Sequence, residues 1–271
     1  MHGEWEELEG RIGRSGHYLD AVLGEIKRDA YLRLVEGWRG SAKGRLLKTD
    51  LFEEAYGPDS LMPHLATSFA SIVGIDISLN TVVAAGAVRA SPLAGSPPGH
   101  RLVADVRHLP FADRCFDLVL SPSTLDHFHE PADLGRSLTQ ILRTLGPRGR
   151  TVVTLDNRQN IGNPLLRVAK LLGRVPFYLG RSYRIGELAA EMKAAGFDVC
   201  GRTAIVHNPR LLATGSVWLA RRTGSPRLLA WVHSRLRAMQ RWETARFRYF
   251  TGSFVAALGV RGDIDDDQAS L

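Results

Sequence analysis

Cysteine is nearly absent: the 271 residues hold two, Cys115 and Cys200, in separate stretches that read as strands. A disulfide framework is thereby excluded, and without a CxxC or Cys/His spacing no zinc or other metal site is read. A reducing, cytoplasmic setting is the simplest expectation. Long hydrophobic runs are also lacking. The most apolar window, Ser68–Val88, is broken by Asp76, Asn80 and two glycines, and its period changes midway. A strand followed by a helix explains it better than a membrane span. The opening residues Met1–Glu7 are acidic and have no apolar core, so they do not read as a signal peptide. Lysine is scarce, with five against thirty arginines. That skew is a common product of GC-rich coding, so the net charge of +7 and pI near 9.8 are weak evidence for nucleic acid. The arginines concentrate only after Arg210. Repeats and low-complexity tracts are missing too, and a 44% hydrophobic, 23% charged chain has the means to build a core.

What is present is an alternation. Leu19, Val22, Leu23, Ile26, Ala30, Leu34 and Val35 recur at helical spacing, closed by Gly37 and Gly40. Arg45–Asp50, Ser71–Ser78, Arg101–Val106, Phe116–Ser121 and Thr151–Asp156 then read as strands. The second is a nearly continuous apolar run ending in an acid, as buried parallel strands do. Ala132–Leu145 is an amphipathic helix stopped by Gly146-Pro-Arg-Gly149. Ile185–Ala195 is another, followed by a sixth strand, Phe197–Val206, and a last one, Gly252–Val260. The fold class is α/β: a Rossmann-like, doubly wound, mostly parallel sheet of seven strands with an antiparallel last strand, plus helical caps. The expected organisation is an N-terminal helical segment (1–43) and one domain (44–261) with insertions at about 157–183 and 208–250. Residues 262–271 form an acidic tail, expected to be disordered. Both insertions start where a parallel strand ends, the edge where open α/β sheets bind ligands.

Several segments carry a resemblance. Gly74-Ile-Asp76-Ile-Ser78, Ala104-Asp105-Val-Arg-His-Leu-Pro110-Phe111-Ala-Asp113, Phe116-Asp117-Leu-Val-Leu-Ser121, Ser123-Thr-Leu-Asp-His127-Phe, Leu142-Arg-Thr-Leu-Gly-Pro-Arg-Gly149 and Ala194-Ala-Gly-Phe197 follow in order. Together they resemble the motifs of class I S-adenosylmethionine-dependent methyltransferases of the type 11 kind, over roughly residues 44–206 and the final strand. The resemblance implies S-adenosylmethionine as cofactor. It implies Asp76 as the acid that accepts from two ribose hydroxyls, with Ile77 beside it. Asp105 would accept from the adenine amino group, with the backbone of Val106 at the ring edge and Ser121 at the end of the fourth strand. Without the resemblance, Asp76 and Asp105 read as caps of the segments that follow them.

The first loop departs from the family. An acid and a glycine run are usual there, and glycines let the backbone approach the cofactor's methionine part. Here the stretch is Leu46-Leu-Lys48-Thr49-Asp50-Leu-Phe-Glu53-Glu54-Ala-Tyr-Gly57-Pro58, with a lysine in place of the acid and Gly57 alone remaining. Asp50 and Gly57 are the cofactor-contacting candidates in it. A dinucleotide enzyme, whose pyrophosphate needs that loop most, is disfavoured.

In-line methyl transfer needs chiefly positioning. A general base helps where the acceptor loses a proton, and His127 and His207 are the candidates by pKa and by place at the sheet edge. Asp126, Asp156, Asn157 and Arg210 stand at the same edge as candidate acceptor-binding residues. The expected acceptor is a small or medium-sized metabolite, one bearing an acidic group among the options. A catalytically silent binding domain and an RNA methyltransferase are the alternatives. Arg227–Arg248 carries Leu228, Leu229, Val232, Leu236 and Met239 on one stripe with arginines elsewhere, which suits a cap helix or peripheral membrane contact over 227–248.

Overall fold

The computed structural model describes residues 20–87, 99–172 and 180–262. The acidic tail from 263 onward and the first 19 residues lie outside the described residues. Helix α1 (Ala21–Trp38) starts at Asp20, whose side chain accepts from the Val22 amide at 2.9 Å. Strand β1 (Arg45–Lys48) follows, then the short helices α2 (Phe52–Tyr56) and α3 (Met62–Leu65), β2 (Ser71–Asp76), α4 (Leu79–Ala87) and β3 (Gly99–Val103). Next come β4 (Phe116–Pro122), a 3-10 turn (Leu125–His127), α5 (Pro131–Thr144), β5 (Leu145–Asp156), α6 (Asn163–Leu171) and α7 (Ile185–Ala194). The chain closes with β6 (Phe197–Ile205), α8 (Arg210–Arg222), α9 (Pro226–Ala238), a second 3-10 turn (Met239–Thr244), α10 (Arg248–Thr251) and β7 (Phe254–Arg261).

The seven strands lie in the order β3-β2-β1-β4-β5-β7-β6, all parallel except β7, which runs antiparallel to both β5 and β6. Pleating sends neighbouring residues to opposite faces. Leu46, Leu118 and Leu120 therefore meet Tyr31 and Leu34 of α1 on one side. Leu47, Val119 and Val153 meet Leu134, Leu138 and Ile141 of α5 on the other. A third cluster joins Leu23 and Ile26 to Ala213, Val217, Ala220, Val232 and Leu236, so the hairpin of α8 and α9 is packed on α1. The N-terminal helix is thus part of the sheet's cover.

The first three strands end earlier than the sequence reading has them, and two further features differ. Gly146–Gly149 does stop α5, but β5 begins already at Leu145 and carries a register shift opposite Phe116–Leu118, with Arg148 at φ 56°. The turn residues form an irregularity inside a long strand rather than a loop before it. The late segment is not one helix: α9 ends at Ala238 and gives way to 3-10 and short α turns. At the end of α7, Gly196 takes φ +100°, a conformation that favours glycine, to enter β6.

Candidate active site

Strand order reverses between β1 and β4, and ligands of such sheets bind beyond the carboxyl ends of the strands at that point. Two cavities lie there. The smaller, with about 640 Å³ of empty space including its mouth, is lined by Asp50, Phe52, Asp76, Ile77, Asp105 and Val106 among others. The larger, about 1200 Å³ by the same measure, is lined by Lys27, Tyr31, Glu53, Asp59, Asp156 and Arg210 among others. Asp50, Phe52 and His127 line both.

Asp76 ends β2 with both carboxylate oxygens oriented by the backbone. Oδ2 accepts from the Leu51 amide at 3.0 Å and Oδ1 from the Ser78 amide at 2.9 Å. A carboxylate oxygen can accept more than one hydrogen bond, and a carboxylate lining the cavity at this place suits a vicinal diol. Ile77, Ala104, Val106 and Phe128 supply apolar wall for a flat ring. This donor set fits an adenosine moiety. Asp105 departs from the simplest version of that fit. Arg107 clasps it through Nε, 3.0 Å from both carboxylate oxygens, and Nη2 at 2.7 Å, and the Arg107 amide adds a further bond at 2.8 Å. Burial raises the Asp105 pKa, but these bonds and the guanidinium charge outweigh it and hold the carboxyl below its usual range. The same guanidinium lies 5.4 Å from the centre of the Phe128 ring.

The first loop is organised by a buried cation. Lys48 is fully buried, with Nζ 2.5 Å from the Asp50 carbonyl, 3.2 Å from Glu54 Oε1 and 3.9 Å from Asp50 Oδ1. Burial disfavours the ammonium, yet Glu54 and Asp50 hold its pKa above the ordinary lysine value. Glu54 also accepts from the Leu61 and Met62 amides, fixing the start of α3. Leu51 turns into the core, where a side chain on Gly74 would collide with it, and Phe52 stacks edge-on to Tyr56 at 5.3 Å. The loop therefore keeps Leu51 out of the cavities and presents Asp50 and Phe52 to both. Burial, with repulsion from Asp76, pushes Asp50 up to about 6 against the pull of Lys48.

Sequence reasoning missed the far wall of the larger cavity. Lys27 of α1 bridges Glu53 at 2.5 Å and Asp59 at 2.7 Å, and Tyr31 shares a 2.7 Å hydrogen bond with Thr154. Gly57, expected at the cofactor, lines neither cavity. A Cβ there would fall on Glu53 Oε2 and Asp59 Oδ1, so this glycine makes room for two carboxylates beside Lys27. Burial first, and Glu53 second, push Asp59 up to about 7. A raised carboxyl pKa means the folded state holds the proton more tightly, so stability falls as pH rises from about 4 to about 7, by up to about 1.4 kcal/mol per pH unit. Asp59→Asn, which mimics the protonated form, should flatten this dependence in urea unfolding at pH 5 and pH 8. An unchanged slope would place the titration elsewhere.

The remaining candidates separate into wall and support. Asp156 lines the larger cavity and pairs with Arg210, whose guanidinium also lies 4.6 Å from the Phe254 ring centre. His127 lines both cavities, with Nε2 3.9 Å from Asp126 Oδ1. Asp126 itself is buried behind it. Its Oδ2 accepts from Ser123 Oγ at 2.9 Å and the Asp156 amide at 2.7 Å, Oδ1 has no hydrogen-bond partner among the described residues, and burial raises its pKa. Asn157 donates to the Tyr249 and Gly252 carbonyls at 2.7 Å each and clamps α10 rather than facing the cavity. Ser121 is fully buried under Thr49, which donates to it at 3.0 Å. His207 is also fully buried, its ring nitrogens 2.9 Å from Thr251 Oγ1 and 3.0 Å from the Ala204 carbonyl. Burial lowers its pKa. Asp126, Asn157, Ser121 and His207 thus stand outside both cavity walls.

Residues 53–153 match the family model of a methyltransferase domain. No curated protein sequence matches the chain. Among solved structures it is similar to the 4+2 cyclase SpnF, at 21% identity and TM-score 0.56, over 86% of this chain and 80% of that one. It is similar to an S-adenosylmethionine-dependent methyltransferase from Methanosarcina mazei, at 13% and 0.57, over 84% and 97%. A third likeness is to phosphoethanolamine N-methyltransferase 2 of Haemonchus contortus, crystallised with S-adenosyl-L-methionine, at 16% and 0.55, over 85% and 52%. At such identities these structures speak for the fold, and the family match speaks for the domain. Residues 53–153 thus match a methyltransferase domain, set in a Rossmann-like methyltransferase fold whose first loop is built around a buried lysine.

Proposed function

We propose that the protein methylates a small acceptor held in the cavity between α1, α8 and the carboxyl ends of β4 and β5. The observation that carries this reading is the pair of adjoining cavities sharing Asp50, Phe52 and His127. Bound S-adenosylmethionine supplies a sulfonium methyl for in-line transfer to a nucleophile. Asp76 and Ile77 would hold its ribose in the smaller cavity, and Val106 would flank its base. Asp50, at the junction, would face its ammonium group, the place the missing acid has in the family. His127, backed by Asp126, is the group we assign to take the acceptor's proton.

The acceptor's charge is narrowed by the partners already in place. Lys27, Lys48 and Arg210 are each paired with a carboxylate of the chain. An anionic acceptor would have to displace Asp156 from Arg210, whereas a neutral or amine acceptor meets the carboxylate surplus directly. Arg210, Ala213 and Thr214 of α8 line the cavity, so the 208–250 insertion serves as its lid in this reading.

Calorimetric titration with S-adenosylhomocysteine, followed by S-adenosylhomocysteine release in the presence of small amines, alcohols and carboxylates, tests the proposal. Binding and release with a small acceptor are expected. No binding removes the assigned cofactor site. Binding with release only on RNA or protein removes the small-acceptor reading.

A further inference from the structure

From the outer faces of α6, α8 and α9 we infer a docking surface for an anionic lipid membrane. The apolar residues of α6 point the wrong way for a globular protein. Leu165 and Val168 of α6 are exposed, as are Ile161 just before the helix and Leu172 just after it, with Ile161 at 75% and Leu171, the last helical residue, at 87%. Leu166 alone of this group's leucines turns inward. On α8, Leu212 is 67% and Trp218 59% exposed, and on α9, Trp231 is 57% exposed. The inner faces of α8 and α9 are already used against α1, so these residues are not spare core. The two sets adjoin. A cleft lined by Leu165, Leu166, Leu211 and Leu212 joins the start of α6 to the start of α8, and Arg210 and Ser253 line both this cleft and the acceptor cavity.

Charge selects the occupant. Residues 210–238 contain six arginines and no acid. Arg221, Arg237 and Arg210 pair with Asp20, Glu25 and Asp156, while Arg222, Arg227 and Arg235 stay exposed. Arg222 and Arg235 lie over the exposed rings of Trp218 and Trp231, at 5.3 and 5.7 Å. Indole beside guanidinium on an outward helix face suits the headgroup layer, with aliphatic side chains reaching the acyl boundary. A second copy would set one arginine-rich face against another, which repels. RNA is bound through stacking on aromatics and through phosphate contacts, and gives no role to exposed isoleucine, valine and leucine. No described helix is long and apolar enough to cross a membrane, so this is attachment in the interface plane.

The test is sedimentation of the full chain with vesicles of phosphatidylcholine alone and with phosphatidylserine added. Binding is expected only to the anionic vesicles, and it should weaken as salt rises. Arg222→Glu/Arg235→Glu should lower the partition constant on the order of thirtyfold or more, from about fivefold per basic residue at the surface. Trp218→Ala/Trp231→Ala should lower it by roughly tenfold or more, through lost apolar burial. All four side chains are exposed, so circular dichroism should be unchanged. Equal binding to neutral vesicles, or none to either, overturns the inference. So does retention on RNA without vesicle binding, or a concentration-dependent dimer broken by the tryptophan variant.

Discussion

Lys48→Met is expected to destabilise the protein by about 3–5 kcal/mol, the range for removing one partner of a buried ion pair. The reason lies in what remains. Glu54 is 5% exposed and its carboxylate also accepts from the Leu61 and Met62 amides, so it cannot turn to water without breaking the start of α3. A methionine fills the volume of the lysine but leaves that charge uncompensated. Glu54→Gln should cost less, because both backbone bonds go to Oε1 and an amide oxygen there still accepts them. The double variant should recover part of the loss, and this coupling in a double-mutant cycle separates the pair from simple repacking. Urea unfolding of the four proteins measures it. A loss under about 1 kcal/mol for Lys48→Met would mean that the ammonium is not structural. Lys48 would then be available to a ligand in the cavity that it also lines.

This buried pair marks where sequence reading stopped. The lysine in place of the usual acid was visible, because it ends the first apolar strand. Its partner was not, because Glu54 becomes a neighbour only when α2 folds back over the strand end. Asp76 was legible for the opposite reason: an acid closing a continuous apolar strand has one place to go, the carboxyl edge of the sheet. His207 and Asn157 satisfy the same positional rule, yet α10 with Gly252 after it, and Ala204 of β6, use their polar atoms internally. Position after a strand does not reveal what a later segment will cover.

The sequence reading also set α1 apart as an N-terminal segment, although the signal that it belongs to the site was present. Lys27 and Tyr31 follow Leu23 at intervals of four, on the buried stripe of the helix. A charged and a hydroxylated side chain on such a stripe need buried partners, and the structure supplies Glu53, Asp59 and Thr154. Asp105 shows the reverse case. The family resemblance implies that it accepts from the adenine amino group, but Arg107, two residues on, occupies much of its acceptor capacity.

Asp76→Ala should weaken S-adenosylhomocysteine binding by about 1.5–3 kcal/mol, roughly tenfold to 150-fold, the contribution of hydrogen bonds to a charged group. Two effects combine. The alanine removes the carboxylate proposed to accept from the ribose hydroxyls, and it leaves the Leu51 and Ser78 amides without the bonds that fix the first loop against β2. Asp76→Asn distinguishes them. The amide oxygen can keep one of the two backbone bonds, but it lacks the charge and the second acceptor that a diol uses. If ribose recognition dominates, the asparagine variant should lose most of the affinity while urea unfolding shifts little. If loop fixation dominates, it should bind nearly as the parent does, and only the alanine variant should fall in both measurements. Calorimetry and unfolding on the same preparations resolve the two. Affinity equal to the parent in both variants, with the fold intact, would remove Asp76 from the cofactor site and leave the smaller cavity without its anchor.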